Sequence, residues 1–439
     1  MSSPSAPPAT APSKRSFYWW ANIAGWLALG AWVAWWGYSL FHHQLLGAKY
    51  TWIHVPVFGA DFYSQSDLAA RLTAKGIDPY ASRGHLFHYP PLVIWLFSWT
   101  PLFTGEAALT IWILFCMLLT VAGTLVALQV RRTLGAEAIP PSLAIAAVLF
   151  SFPVVFQLER ANFDLWTLAA MLLAFPLFAK RTPRAEFLAG VLLAVGPWVK
   201  LYPGIMGLGL LATRRWRGVA GFIVGAGLIL LAAPTDTMKS FETLKIAVER
   251  VKGVAALDAY VPWSHSLSVG WLKVGQMLQS TNLGIAMLAV PGDAVAGLFV
   301  VGLGAVVSFQ VFRAGGTDTV LYPLLLWLNA LGSCVGAIAN DYSLIFLPIA
   351  IVAVTSWRRD PWFVRVSMIL LVVWWQPWDI HIPALPFLLI KVLGLIAVGV
   401  SIVRRAREMC HSAVEAPADA ARSGAAMQEG SPAASLGSL

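Results

Sequence analysis

Apolar segments, many of them about 17 to 25 residues long and several shorter, recur along the whole chain, and a helix of about 20 residues crosses about 30 Å of hydrocarbon. With 58% hydrophobic and only 12% charged residues, the polar side chains could not cover the surface of a water-soluble globule. The short alternating segments typical of a transmembrane barrel are missing, so the spans should be helices. The sequence therefore predicts an all-α, polytopic membrane protein.

The length criterion predicts about twelve membrane-spanning helices. They cover approximately residues 17–40, 107–130, 140–158, 162–179, 185–199, 202–213, 218–234, 293–312, 319–338, 342–357, 362–376 and 383–403. The first is longer than the hydrophobic region of a signal peptide and lacks a clear cleavage site, which favours a retained anchor. Ala-, Pro-, Ser- and Gly-rich composition predicts disordered cytoplasmic tails at 1–13 and 406–439, flanking one transmembrane domain over 14–405.

The net charge of +9 comes from short basic clusters at every second membrane exit. These clusters are Lys14 and Arg15; Arg131 and Arg132; Lys180, Arg181 and Arg184; Arg214, Arg215 and Arg217; Arg313; Arg358 and Arg359; and Arg404, Arg405 and Arg407. If all of them are cytoplasmic, the positive-inside rule is met with both termini inside. The charge then reports topology, and nucleic acid is not a predicted partner.

Most other ionisable residues fall on the opposite, outer face. That face receives the long loops 42–106 and 235–292 and the short connections 159–162, 200–203 and 340–342. Polar groups gathered on one side of an apolar protein indicate a site at that interface. The three cysteines, Cys116, Cys334 and Cys410, form neither a disulfide framework nor a metal-ligand cluster.

Asp61 follows the first apolar segment and has two interpretations. It could be a solvated loop acid or the N-cap of an interfacial helix, because residues 62–75 have helical spacing of apolar positions. Alternatively, a carboxylate held at the membrane boundary would be partly desolvated, which raises its pKa and makes it a better base. The residues themselves do not separate these readings.

Six short motifs resemble glycosyltransferase family 87, whose members are bacterial polyprenyl-phosphate-mannose-dependent mannosyltransferases of the GT-C superfamily. The motifs are Gly-Ala-Asp-Phe-Tyr at 59–63, Gly-Ile-Asp-Pro-Tyr at 76–80, Tyr-Pro-Pro at 89–91, Glu-Arg-Ala-Asn-Phe-Asp at 159–164, Lys-Leu-Tyr-Pro at 200–203 and Asn-Asp-Tyr at 340–342. They keep their order across residues 17 to about 405 and lie at the expected membrane boundaries.

The resemblance implies a GT-C helical bundle with interfacial helices in the outer loops, and it assigns the role of catalytic base to Asp61. The enzyme would act in the bacterial cytoplasmic membrane, with its active site on the extracytoplasmic side. It would transfer a sugar, with inversion, from a polyprenyl-phosphate donor to a hydroxyl of a glycolipid or polysaccharide acceptor. The identity of the sugar and of the acceptor stays open.

The phosphate of such a donor needs charge neutralisation more than protonation. Lys200 is the first candidate, although a lysine at this position could also simply snorkel to the interface. Arg160 could bind the phosphate as a fork, or it could only form an ion pair with Glu159. His265 and Ser266 resemble a family motif near the phosphate, but the family more often has glutamine before the serine.

Aromatic and polar residues in the same motifs are candidates for binding the sugar or the acceptor, because ring faces stack on sugars and carboxylates accept their hydroxyl protons. They are Tyr63, His88, Tyr89, Asn162, Asp164, Tyr202, Asp341 and Tyr342. Several of them could equally cap helices or anchor the interface.

No Asp-x-Asp pair, His-x-x-x-His spacing or Gly-rich phosphate loop is present, so neither a metal nor a nucleotide cofactor is predicted. The competing function is a transporter or lipid flippase, which about twelve spans would also suit. Internal repeats and mid-membrane charges would favour it, whereas the polar residues here gather on one face.

Overall fold

The structure is a computed structural model, and it describes residues 14–42, 58–81, 87–252, 266–316, 318–335, 341–356, 358–373 and 384–429. Over these ranges every regular element is a helix. The all-α class predicted from the sequence is therefore confirmed.

The α-helices are numbered in chain order. They are α1 (Lys14–His42), α2 (Leu68–Ala74), α3 (Pro91–Leu96), α4 (Gly105–Thr133), α5 (Pro141–Leu149), α6 (Phe152–Arg160), α7 (Leu165–Ala179), α8 (Pro183–Leu193), α9 (Val195–Val199), α10 (Met206–Ala212), α11 (Trp216–Ala232), α12 (Pro234–Lys252), α13 (Leu267–Met277), α14 (Asn282–Ala289), α15 (Gly292–Arg313), α16 (Asp318–Gly332), α17 (Phe346–Val354), α18 (Trp362–Val373) and α19 (Ala384–Glu429). A π-helical turn covers Phe62–Asp67, and 3-10 helices cover Thr100–Leu102, Tyr202–Ile205 and Asp341–Ile345.

Two helices in the described ranges, α4 and α15, are long and apolar enough to cross a membrane alone, and the number rises to four if each bent pair is one span. The bent pairs are α5 with α6, at 57°, and α11 with the first part of α12, at 94°. Proline stands at the start of both α6 and α12, where it suits a helix beginning but not a continuing one. A membrane-embedded helical protein is therefore supported, while the count of twelve spans is not confirmed.

The centre of the bundle is formed by α16 and α17, whose described side chains are almost all buried. They pack on each other and on α4. Two long-range hydrogen bonds hold this centre: Trp327 Nε1 donates to the carbonyl of Leu395 at 2.7 Å, and Tyr322 Oη donates to the carbonyl of Gly123 at 3.1 Å. Polar tips of buried aromatic residues need such partners.

Helices α8 and α11 approach each other closely through glycine. A Cβ added at Gly190 would lie 1.9 Å from the carbonyl oxygen of Gly218, and one at Gly221 would lie 2.0 Å from that of Phe187. Small residues at such a crossing let two backbones touch, which is a common way of packing helices in a membrane. This contact fixes the helices that precede and follow the segment carrying Lys200.

The last helix, α19, begins in the apolar segment predicted as the last span, 383–403, and continues through residues 406–429. The composition of residues 406–429 predicts a disordered tail. Ala, Glu, Arg and Met are frequent there, and these residues have high helix propensity.

Candidate functional site

Asp61 is buried against the end of α6. Its side chain is 12% exposed and forms an ion pair with the guanidinium of Arg160, whose own side chain is 16% exposed. The amide nitrogen of Asn162 donates a second hydrogen bond, 2.8 Å long, to the other carboxylate oxygen. The carboxylate is thus oriented by two donors from one short segment 99 to 101 positions away in the sequence.

The turn at Gly59 brings Asp61 to this position. Gly59 has φ +76°, a conformation that costs a residue with a side chain but not glycine. Its backbone N–H donates to the carbonyl of Glu159 at 2.8 Å, and an added Cβ would lie 2.7 Å from the side chain of Leu109. Glycine is therefore favoured by the backbone conformation, and a side chain here would also have to displace the end of Leu109 on α4.

The positions of Arg160 and Asn162 depend on how α6 ends. Ala161 is left-handed, with φ 50°, and the N–H of Asn162 reaches back to the carbonyl of Gln157 at 3.3 Å. These are the features of a helix ended by a left-handed residue. The side-chain oxygen of Asn162 then accepts the N–H of Phe163 at 2.8 Å, so its amide nitrogen points to Asp61.

A second buried carboxylate lies three residues beyond Ala161. Asp164 is 1% exposed and forms an ion pair with Lys200, with 2.7 Å between Nζ and Oδ1. The hydroxyl of Ser343 donates to its other oxygen at 2.8 Å. Three distant parts of the chain therefore meet at Asp164: the start of α7, the junction between α9 and the next 3-10 helix, and the 3-10 helix before α17.

Aromatic rings lie between the two acid-base pairs. The ring of Phe163 meets that of Tyr89 edge to face at 4.5 Å, and Lys200 Nζ lies 5.3 Å from the centre of the Phe163 ring. The pKa of Tyr89 is raised, first by burial and then by the negative charges of Asp61 and Asp164. Its phenol therefore stays protonated between the two carboxylates and can act as a hydrogen-bond donor.

A cavity of about 690 Å³ opens beside the Asp164–Lys200 pair. Its polar lining includes His88, Tyr89, Lys200, Tyr202 and Ser343, and its apolar lining includes Leu208, Phe241, Leu244, Val248 and Val300. The apolar wall comes from α10, α12 and α15, while the polar groups come from the motif segments. The cavity suits a ligand with a long apolar part and an anionic head.

The structure contradicts one of the two structural interpretations of Asp61 and bears out the other in position only, since Asp61 does stand at the N-cap of the helical turn 62–67. It is not a solvated loop acid, because it is buried. Helix does follow it, but its side chain makes no capping hydrogen bond, since both oxygens are taken by Arg160 and Asn162. Arg160 forms its ion pair with Asp61, and its positive charge also stabilises the ionised form of the neighbouring Glu159 against the effect of burial.

Other predicted residues lie elsewhere or outside the described residues. Tyr63 packs against Gly105, and its pKa is raised by burial and by the charges of Glu106 and Asp67. Ser266 is the N-cap of α13 and accepts the N–H of Val269 at 3.2 Å. His265 and the side chains of Asp341 and Tyr342 lie outside the described part of the chain.

Sequence reasoning missed the contributions of Ser343, Phe163 and Gly59. Ser343 directly follows the Asn-Asp-Tyr motif, and Phe163 lies inside the Glu-Arg-Ala-Asn-Phe-Asp motif, so the motifs contained the signal. Within the described ranges, no group of three or more His, Cys, Asp or Glu residues is arranged to hold a metal ion.

Comparison with known families identifies the chain. The profile of glycosyltransferase family 87 matches residues 87–331, more than half of the sequence. The protein belongs to glycosyltransferase family 87. No curated protein and no solved structure matches it. Membership of family 87 makes the protein a glycosyltransferase. The matched range contains Tyr89, residues 159–164 and Lys200, whereas Asp61 precedes it and joins it through Arg160 and Asn162.

Proposed function

We propose that this protein is an inverting glycosyltransferase that moves mannose from a polyprenyl-phosphate donor to a hydroxyl of a lipid-linked or polysaccharide acceptor. The observation that carries the proposal is Lys200, which pairs with the buried Asp164 and lines a largely apolar cavity. Asp61 does not itself line this cavity; Arg160 and Asn162 hold it against the short segment that also carries Asp164. The apolar wall suits a prenyl chain, and the ammonium suits the phosphate that joins it to the sugar.

In this mechanism the acceptor hydroxyl attacks the anomeric carbon while Asp61 takes its proton. The bond from the anomeric carbon to the phosphate oxygen breaks, and polyprenyl phosphate leaves with the negative charge. One displacement inverts the anomeric centre, so a single carboxylate base is enough. Asn162 positions Asp61 through the 2.8 Å hydrogen bond, and such positioning places a base for attack.

Lys200 and Arg160 stabilise the departing phosphate. An ammonium has three donors, so the ion pair of Lys200 with Asp164 is compatible with a contact to a phosphate in the cavity. Arg160 contacts Asp61 before substrate arrives. The planar guanidinium of Arg160 could bind the donor phosphate and Asp61 at the same time. Donor binding would then weaken the ion pair between Arg160 and Asp61, which frees the carboxylate to accept the proton of the acceptor hydroxyl.

His88, Tyr89 and Tyr202 line the cavity and are proposed to contact the sugar. The phenol of Tyr89 donates to sugar oxygens, and the rings offer apolar faces. The site is assigned to the outer side of the bacterial cytoplasmic membrane because α7 begins beside Asp164 and ends beside Lys180 and Arg181. The positive-inside rule places such basic ends in the cytoplasm.

The test is sugar transfer by the purified protein in lipid nanodiscs, with a membrane lipid extract as acceptor. Radiolabelled polyprenyl-phosphate mannose, polyprenyl-phosphate arabinose and a nucleotide-linked mannose are offered separately. We expect label to move from the mannosyl lipid alone, with inversion seen by NMR of the product. Transfer only from the arabinosyl lipid would overturn the sugar, and transfer from the nucleotide would overturn the donor class. Movement of lipid-linked sugar across the bilayer without turnover would favour a flippase.

A further inference from the structure

A second cavity, with a largely polar lining, lies at the other end of the bundle from Asp61. Its volume is about 550 Å³, and its lining includes Arg181, Arg214, Arg215, Gly316 and Asp318. Asp164 precedes the first residue of α7 and Arg181 follows its end, so about 22 Å of helix separates the two sites. The proposed transfer reaction uses none of these residues.

The cavity contains more arginines than are needed to neutralise Asp318. Asp318 forms ion pairs with Arg215 and, at 2.7 Å, with Arg181. Arg215 is buried, with a side chain 8% exposed, whereas the side chain of Arg181 is 75% exposed. Arg215 alone could therefore neutralise Asp318. Arg181 is left with most of its surface facing water at the cavity.

Arg214 adds a third guanidinium, held in place by an aromatic ring. Its central carbon lies 4.6 Å from the centre of the Phe312 ring, a distance typical of a cation–π contact. Three arginines and two acids, Glu186 and Asp318, line the cavity, so its net charge is positive.

The backbone at two of these arginines is of the kind that glycine favours. Arg181 has φ 51° and Arg214 has φ 57°, and both follow the end of a helix. At the end of α10 the N–H of Arg215 reaches the carbonyl of Leu210 at 2.9 Å, which leaves Arg214 at the position where helices usually place glycine. A third turn that lines this cavity, after the end of α15, has glycine at its left-handed position, Gly315 with φ +88°.

Topology alone does not require arginine at these strained positions. Lys180, Arg184 and Arg217 supply positive charge to the same face without a left-handed backbone. A side chain kept where glycine is conformationally favourable indicates a role for that side chain. Planar guanidiniums with several donors match the oxygens of phosphate.

We infer that this cavity binds a phosphate-bearing anion through Arg181 and Arg214, with Arg215 and Asp318 forming its rigid base. The anion is either the head group of an acidic membrane lipid or a soluble phosphate. This site is independent of the donor and acceptor sites proposed above.

The experiment uses full-length protein in phosphatidylcholine nanodiscs. One arm adds phosphatidylglycerol and counts retained lipid by native mass spectrometry; the other titrates inorganic phosphate by calorimetry. The test variant is Arg181→Gly with Arg214→Gly, because glycine relieves both backbones while removing both guanidiniums. The matched control is Arg217→Gln, an exposed arginine on α11.

We expect binding in at least one arm to be about tenfold or more weaker in the double glycine variant, with an unfolding temperature no lower than that of the parent. The control should bind like the parent. Loss in the lipid arm identifies a head group, and loss in the phosphate arm identifies a soluble anion. Unchanged binding in both arms, an equal loss in the control, or a less stable glycine variant overturns the inference.

Discussion

Two sets of buried charges in this protein have similar chemistry and opposite uses. The Asp61 cluster consists of Asp61, Arg160, Asp164 and Lys200, and the Arg131 cluster consists of Arg131, Arg405, Asp360 and Glu137. Arginine is paired with carboxylate in both. In the first set the Asp164–Lys200 pair borders a cavity of about 690 Å³, whereas in the second the guanidiniums bind the protein backbone.

The backbone contacts of Arg131 show what the second set does. Its side chain is 1% exposed and donates to the carbonyls of Glu137 at 2.6 Å and Val352 at 3.1 Å, and to that of Thr355. Arg405 similarly donates to the carbonyl of Val354 at 3.1 Å. The carbonyls of Val352, Val354 and Thr355 lie at the end of α17 and would otherwise lack helical partners, while that of Glu137 lies in the connection between α4 and α5. A buried ion pair therefore indicates a site most directly where one of its members, like Lys200 here, also lines a cavity.

The largest expected effect tests the functional half of this comparison. Asp61→Asn keeps the shape of the side chain and removes the base, so sugar transfer should fall by about 10² to 10⁴, while the loss of the ion pair with Arg160 lowers the unfolding temperature without preventing folding. Initial rates with labelled donor measure it. Asp78→Asn, in the same segment, is the matched control and should keep normal activity. Substantial transfer by Asp61→Asn, or loss of folding instead of activity, would place Asp61 among the structural charges.

The structural half is tested at Arg131. Arg131→Met keeps the apolar stem but leaves Glu137 and three carbonyls without their donor, and it should lower the free energy of unfolding by about 3 to 5 kcal/mol. Unfolding in mixed detergent micelles measures this loss. Its exposed neighbour Arg132 is the control, and Arg132→Met should change stability by about 0.5 kcal/mol or less. Equal effects of the two variants would contradict the distinction.

Lys200 combines both uses, because it contacts Asp164 and also lines the cavity. Lys200→Gln should raise KM for the polyprenyl-phosphate donor by about 10 to 100-fold and reduce stability by leaving Asp164 unpaired. Adding Asp164→Asn should restore stability but not donor affinity. Recovery of both would show that Lys200 acts only through Asp164.

The smallest effect is expected at the exposed pair Asp78–Lys239, whose atoms lie 2.7 Å apart. Solvent screens such pairs, so Asp78→Asn should lower the unfolding temperature only slightly. The hydrogen bond from Lys239 holds the pKa of Asp78 below its ordinary value of 3.8. The contribution is therefore present above pH 3.8 and lost as the pH falls below it. A difference between variant and parent that persists at lower pH would exclude this cause.

The sequence predicted the helical class and the segments that build the site, since both depend on local patterns. The motifs at 59–63, 159–164 and 200–203 indicate a site, and ion pairs link side chains from all three in the structure. The sequence does not reveal the pairing of Asp61 with Arg160, because the contact spans 99 positions and depends on the turn at Gly59. The count of twelve spans took residues 140–158 as one helix, and the 57° bend between α5 and α6 does not fit that assumption, whereas the bend before α12 falls at the predicted end of the span 218–234.

Arg131 and Arg132 illustrate the difference between what the sequence shows and what only the tertiary structure shows. Adjacent in the sequence, both counted equally as topology signals, yet one is buried and the other exposed. Apolar length determined by itself that this is a helical, membrane-embedded protein. Only the tertiary structure decided which charges hold helices together and which face a ligand, because successive helical residues point about 100° apart and their partners arrive from distant parts of the chain.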